Sequence, residues 1–429
     1  MTLIDLGDLR DAERPEPPAR RPRPPANRLP GFLAVLLLAL LTLAAATPPP
    51  GRVAVVVPAR LGVDRLVAGN LLLVVDPPSR ERTPRSMAAY RLPGGEPAWR
   101  APLPVDGRFW GVSARADDLL LISGYEVPPE GRGTVTVALD AATGAYRWQQ
   151  PGAALGVSGG GLLLEDFSRE GRGTLRAVDP CCGTPRWTAD VPAGEVGYRF
   201  TPDGMDRVLL SDPRGRVEVR DAVTGAVLVA ADLWSTAERP YRSTQMVGDL
   251  LVTIGGTPPV MTAYGVDRLD RRWRAPVPDA SLVLDCGGVI CGQTRSGTLW
   301  AVDPATGRPL WTRPGWDTMW AAPGRLVVVR VPGTGTGPAD LAVLDPVTGR
   351  VRAELGRWEF AQQEPGHGRL LAVRPHPAGG PLVAEIDAAA AIVRVLDVLP
   401  EASGDCHAIV GGVLCRRPDS SIGLWRLRR

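Results

Sequence analysis

The sequence predicts an all-β fold made of a tandem array of small antiparallel sheets. Three observations carry this. A strand–turn–strand unit recurs nine times, at a period of about 42 residues. Side chains within each copy alternate with the period of two that marks a half-buried strand. Almost nothing beyond the N-terminus shows the spacing of an amphipathic helix. The clearest copies are 298-TLWAVDPATGRPLW-311, 134-TVTVALDAATGAYRW-148 and 174-TLRAVDPCCGTPRW-187. Weaker copies run over 216–229 and 340–353.

In the copy beginning at Thr298, Leu299, Ala301 and Asp303 share one face, and Trp300 and Val302 the other. Asp303 ends the strand, where its carboxylate can accept backbone N–H bonds from the turn that follows. Gly307 supplies the positive φ that such a turn often needs. The chain then reverses, and Trp311 is expected to cap the sheet with a large apolar surface. The same roles fall on Asp140/Gly144/Trp148, Asp179/Gly183/Trp187, Asp221/Gly225 and Asp345/Gly349. Apolar runs such as 118-DLLLIS-123, 249-DLLVTI-254 and 325-RLVVVRV-331 lie upstream and add further strands. A four-stranded sheet of this kind cannot cover both of its faces alone. Radial stacking covers both and hides most edges, so the array reads as the blades of a β-propeller. The repeat aspartates and tryptophans are therefore turn formers and packing groups, not catalytic acids.

The pattern of apolar strand, Ala-x-Asp, x-x-Thr-Gly and x-x-x-Trp resembles the PQQ-like repeat family, over nearly all of residues 53–429. The resemblance implies eight blades. The chain itself offers nine cores, at Tyr90, Asp140, Asp179, Asp221, Gly265, Asp303, Asp345, Asp387 and Arg426. Eight is favoured on the resemblance. The last core, 421-SIGLWRL-427, has no outer strand after it, and 52-RVAVVV-57 stands alone before the first repeat. That N-terminal strand is expected to complete the last blade.

Residues 29–47 contain an uncharged apolar run that reaches about 27 Å as a helix, close to a bilayer core. Arg20, Arg21, Arg23 and Arg28 precede it, so the positive-inside rule places the N-terminus in the cytoplasm. The expected order is a disordered cytoplasmic tail over 1–28, a single transmembrane signal anchor over 29–47, a linker over 48–52 and an extracytoplasmic propeller over 53–429. The localisation expected is the plasma membrane. A signal peptide cleaved after Ala44-Ala45-Ala46 is the alternative. There is no Lys among the 49 basic residues, which removes Schiff-base and phosphate-loop lysine chemistry. The formal charge of +3 shows no basic stripe fit for nucleic acid.

All six cysteines lie in the exterior part, which suits an oxidising compartment. Cys286 and Cys291 flank Gly287-Gly288, and Cys406 and Cys415 flank Gly411-Gly412. If each glycine pair is a two-residue turn, Leu284 faces Cys291, Ala408 faces Cys415, and each cysteine pair is diagonal on one face. Two intra-hairpin disulfides are expected. Cys181 and Cys182 sit in a turn and form either a vicinal disulfide or two free thiols. In quinoprotein alcohol dehydrogenases such a ring stacks on the quinone. Here the pair lies in an outer turn, so a cofactor role is not expected.

His367, His376 and His407 belong to no metal or haem motif. The calcium and quinone site of catalytic relatives draws on Asn, and Asn70 is the single exterior asparagine. No catalytic, cofactor-binding or metal residue is assigned. Trp110, Tyr241, Trp316, Trp320 and Trp358 are the candidate contact aromatics. The function expected is a non-catalytic, membrane-anchored scaffold or sensor module for a protein or glycan partner. The alternative is a quinone-dependent dehydrogenase using pyrroloquinoline quinone with calcium.

Overall fold

The structure is a computed structural model that describes residues 54–427 apart from 78–84, 105–106, 115–117, 127–132, 169–170, 192–193, 234–240, 281, 323, 333–336, 362–369 and 378. The expected cytoplasmic tail, anchor and linker, together with His367, lie outside the described residues. Among the described residues no helix is long and apolar enough to cross a membrane. The helical content among the described residues is one short 3₁₀ turn, Ser158–Gly160.

The rest is antiparallel sheet. Sheet 1 holds the strands Asp64–Ala68, Leu71–Val75, Ser86–Arg91 and Glu96–Pro102, side by side in chain order. Sheets 2 to 6 repeat that plan over residues 107–151, 153–191, 195–232, 241–276 and 282–314. Sheet 7 has seven strands over residues 318–398. Its long strand Val351–Phe360 pairs with Ala339–Leu344 as far as Trp358, then passes Glu359 and Phe360 to Leu370–Pro375. Sheet 8 is Gly404–Ile409, Gly412–Arg416 and Ile422–Arg426, with Val55–Val57 as its fourth strand. There Val55 faces Leu424 and Val57 faces Ile422. The nine repeat cores thus fall on eight sheets, because sheet 7 carries both Asp345 and Asp387.

Strand alternation decides where each apolar side chain goes. Leu299 and Ala301 enter the core shared by sheets 6 and 7, while Trp300 and Val302 enter the core shared by sheets 5 and 6. Leu71, Leu73 and Val75 likewise face sheet 2, and Leu72 and Val74 face sheet 8. A second strand buried on both faces is continuously apolar for this reason. The other cores likewise join one sheet to the next, except that of Val329, Leu341, Trp358 and Ile386, which lies between the two halves of sheet 7. The core of Val57, Val67, Leu72, Leu414, Ile422 and Leu424 joins the last sheet to the first.

Two sequence expectations need correction. Trp311 does not cap its own sheet: its indole N–H reaches Pro346 O of the following one, at 2.7 Å. The second cysteine hairpin turns at Val410-Gly411, one residue earlier than expected, since Ile409 pairs with Gly412 and Ala408 with Val413. His407 faces Leu414, so Cys406 comes directly across from Cys415 instead of diagonal to it.

Candidate functional site

Five junctions between sheets are built by one device. Trp99, Trp148, Trp187, Trp273 and Trp311 each sit on a fourth strand, directly across from a small residue: Ala89, Ala138, Ala177, Ala263 and Ala301. The space left by the alanine lets the indole lie flat and reach the turn of the next sheet. There each indole N–H donates to a turn carbonyl: Ala141, Pro180, Val223, Pro304 and Pro346 in order. The ring covers the turn glycine. A Cβ at Gly144 would come within 2.4 Å of Trp99, and one at Gly349 within 2.5 Å of Trp311. Those glycines also hold φ of 73° and 63°, so both space and backbone demand glycine.

The repeat aspartates hold the receiving turns. Asp140 Oδ1 accepts from Thr143 N at 2.9 Å and from Thr143 Oγ1 at 2.8 Å, while Arg147 donates to Oδ2 at 2.6 Å. Arg147 first, then Thr143, hold the Asp140 carboxyl at about 2. Arg352 and Thr348 do the same for Asp345, also at about 2. These carboxylates are ionised and engaged within their own turns.

On the opposite edge, the first strands of neighbouring sheets are bridged by polar side chains. Glu195 Oε2 of sheet 4 accepts from Thr244 N of sheet 5. Gln245 Oε1 accepts from Val283 N of sheet 6 at 3.2 Å. Tyr198 of the first strand of sheet 4 donates to Glu165 on the second strand of sheet 3, and burial pushes both of these groups up. At the seam between sheets 8 and 1, Arg65 Nη2 donates to Asp405 Oδ1 at 2.8 Å. His407 lies in the same strand as Asp405, and burial first, then Arg65, hold it down at about 4. Its Nε2 and Arg65 Nη1 are both buried with no hydrogen-bond partner among the described residues. A cavity of about 760 Å³ opens at this seam, lined in part by Arg60, Val63, Asp76, Tyr90, Arg100 and Asp419. Within its lining Arg100 donates to Asp76, and buried Arg85 donates to Asp64, beyond the lining, at 3.0 Å.

The aromatic candidates divide. Trp110 occupies a bulge, since Phe109 pairs with Gly124 and Gly111 with Ser123. The bulge turns its ring outward, 52 % exposed, 6.0 Å from the ring of Tyr125. Trp320 is 46 % exposed and stands edge-on to Phe360 at 4.8 Å. Trp358 is a core residue whose indole donates to Leu355 O, with Arg374 over its ring. Trp316 is half-buried under the guanidinium of Arg330. Tyr241 opens the first strand of sheet 5, across from Gly255. Trp110 and Trp320 belong to different sheets and are not brought together.

The cysteines pair as Cys181–Cys182, Cys286–Cys291 and Cys406–Cys415. The last two pairs are buried, and the first is exposed. The seam groups and the Glu165–Tyr198 contact escaped sequence reasoning. Their members are brought together only by the stacking of sheets, Arg65 and Asp405 across 340 residues, and no local motif marks them.

Residues 85–313, more than half of the 429, match the family model described as outer membrane protein assembly factor BamB. Among curated proteins none matches at a significant level. Of the solved structures, the chain is similar to BamB from Moraxella catarrhalis at 14 % identity, covering 88 % of this chain and 98 % of that one, with a TM-score of 0.44. It is similar to the computationally designed Ika8 protein at 12 % identity, covering 75 % and 98 %, with a TM-score of 0.47. It is also similar to Sqt1 of Saccharomyces cerevisiae at 10 % identity, covering 65 % and 79 %, with a TM-score of 0.40.

Proposed function

We propose, from the premise that this chain belongs to the family of the outer membrane protein assembly factor BamB, that it is a non-catalytic binding propeller, a scaffold or sensor for a protein or glycan partner. On this reading the sheets form a closed ring of nine four-stranded blades. Sheet 7 counts as two blades that share the long strand Val351–Phe360, and Val55–Val57 seals the last one. The segment 29–47 holds the ring at the outer face of the plasma membrane, with residues 1–28 in the cytoplasm.

One observation carries the binding role. The repeat carboxylates are engaged by their own turns, while Trp110 and Trp320 keep large exposed rings on first strands. Exposed aromatic surface favours contact, and turn-bound ionised acids are poorly placed for proton transfer. No cofactor is part of the proposal.

Proximity labelling from the full anchored chain in its native cell tests it. A specific extracytoplasmic protein or glycan-bearing partner is expected, with labelling weakened in a W110A/W320A variant that melts like the parent. Reduction of a dye by alcohols or sugars after addition of pyrroloquinoline quinone and calcium would contradict it. Blotting of membrane and medium fractions tests the anchor, with all signal expected in the membrane.

A further inference from the structure

One receiving turn departs from the plan of the others. The turns at Asp140, Asp221, Asp303 and Asp345 share a threonine three residues on, whose N–H and hydroxyl both donate to the aspartate Oδ1. In 179-DPCCG-183 that position is Cys182, and among the described contacts Asp179 Oδ1 keeps only the N–H of Cys181, at 3.3 Å. The dock itself is intact: Gly183 holds φ of 68° beneath Trp148, whose indole N–H reaches Pro180 O at 2.9 Å. The two cysteines therefore add nothing to the docking that alanine and threonine do not supply in the turn at Asp303. They are also exposed, while both members of the other two pairs are buried. One carboxylate oxygen of Asp179 and the two sulfurs lie within 4.8 Å of one another.

We propose that Cys181, Cys182 and Asp179 form a redox-gated site for one thiophilic divalent cation of the zinc class. An external dithiol reduces the exposed pair. One of its thiolates attacks a cysteine sulfur, the Cys181–Cys182 bond breaks, and the second thiol closes on the first as a disulfide. Two electrons and two protons pass from the dithiol to the two cysteines. Cation binding then displaces those two protons, since thiolates are the ligands. The carboxylate of Asp179 is the third ligand, exchanging part of its 2.9 Å contact with Arg186, and water takes the fourth position. An external disulfide reverses the exchange: it takes the two electrons and leaves as its dithiol, the Cys181–Cys182 bond re-forms, and the cation is released with its two thiolate ligands lost. Two sulfurs and a carboxylate suit zinc or cadmium better than calcium or magnesium, which prefer all-oxygen sites.

The test uses the full chain and the variant C181A/C182T, whose turn then reads like 303-DPATG-307. Graded dithiothreitol followed by alkylation and intact-mass mapping is expected to label Cys181 and Cys182 first, with the two buried pairs intact. The mildly reduced chain is then expected to bind one Cd²⁺, with a thiolate charge-transfer band, and to release it on reoxidation. The variant is expected to bind none and to melt like the parent. The proposal is overturned if a buried pair opens first, or if the reduced chain binds no more Cd²⁺ than the variant.

Discussion

Sheets 2 and 3 meet through a docked indole, whereas sheets 8 and 1 meet without one. At the first junction Trp148 lies across from Ala138 and donates to the turn of sheet 3 at 2.9 Å. At the second, Val55 stands over Gly95, in the place an indole holds elsewhere. The cause is connectivity. A docking tryptophan follows a hairpin between third and fourth strands, and sheet 8 takes its fourth strand from the other end of the chain. The seam relies instead on the Arg65–Asp405 pair at the opposite edge, and it retains the cavity. Sheets 4 and 5 form a second undocked junction for a different reason. Val219 faces Val229 where alanine faces tryptophan, and Leu269 holds φ of 52° in the receiving turn. Docking thus needs a small residue and a large one across the strands, plus a glycine on the neighbour.

The sharpest way to break the comparison is to remove a dock. Trp148→Ala is expected to cost about 3–5 kcal/mol, through lost burial and an unfilled space above Gly183. Val229→Ala, at an undocked junction, is expected to cost about 1 kcal/mol. Denaturant midpoints at unchanged slope measure both. Equal losses would mean that the indoles hold nothing special. Next in size, Asp345→Ala deprives Thr348 of its acceptor and is expected to cost about 1 kcal/mol, read from the same titration.

Acid should separate the two kinds of junction by pH window. His407 sits at about 4 against an ordinary 6.5, so the unfolded chain takes up this proton first. Its contribution is complete above pH 6.5 and is lost as pH falls toward 4. Asp140 and Asp345 sit at about 2 against 3.8, so their contribution is present above 3.8 and is lost as pH falls toward 2. Melting temperature followed against pH should fall in two steps, and His407→Gln should flatten the upper one. The smallest effect expected is a gain. Ala391 holds φ of 57° in the undocked turn of sheet 7, and Ala391→Gly should raise stability by up to about 1 kcal/mol in thermal melts.

Much of this was legible in the sequence, because repeat roles are local. Alternation in 298-TLWAVD-303 places Leu299 and Trp300 on opposite faces, and Asp303, Thr306 and Gly307 define a turn from their own chemistry. What stayed hidden depends on neighbours distant in sequence or on register. Trp311 looks like a cap for its own strand until the next sheet is placed beside it. Cys415 came directly across from Cys406 instead of diagonal to it, because the hairpin turns at Val410-Gly411 where Gly411-Gly412 was expected. Trp358 resembled a contact residue by composition, yet the long strand shared within sheet 7 carries it into a core.

Native-state hydrogen exchange across a denaturant series tests the central claim most directly, because it reads the opening free energy of each junction in the intact chain. Amides of Val55–Val57, Asp64–Ala68 and Ile422–Arg426 are expected to open at lower free energy than those of Leu162–Phe167 and Gly173–Val178. Uniform protection around all the sheets, or a seam that outlasts the docked junctions, would contradict the account.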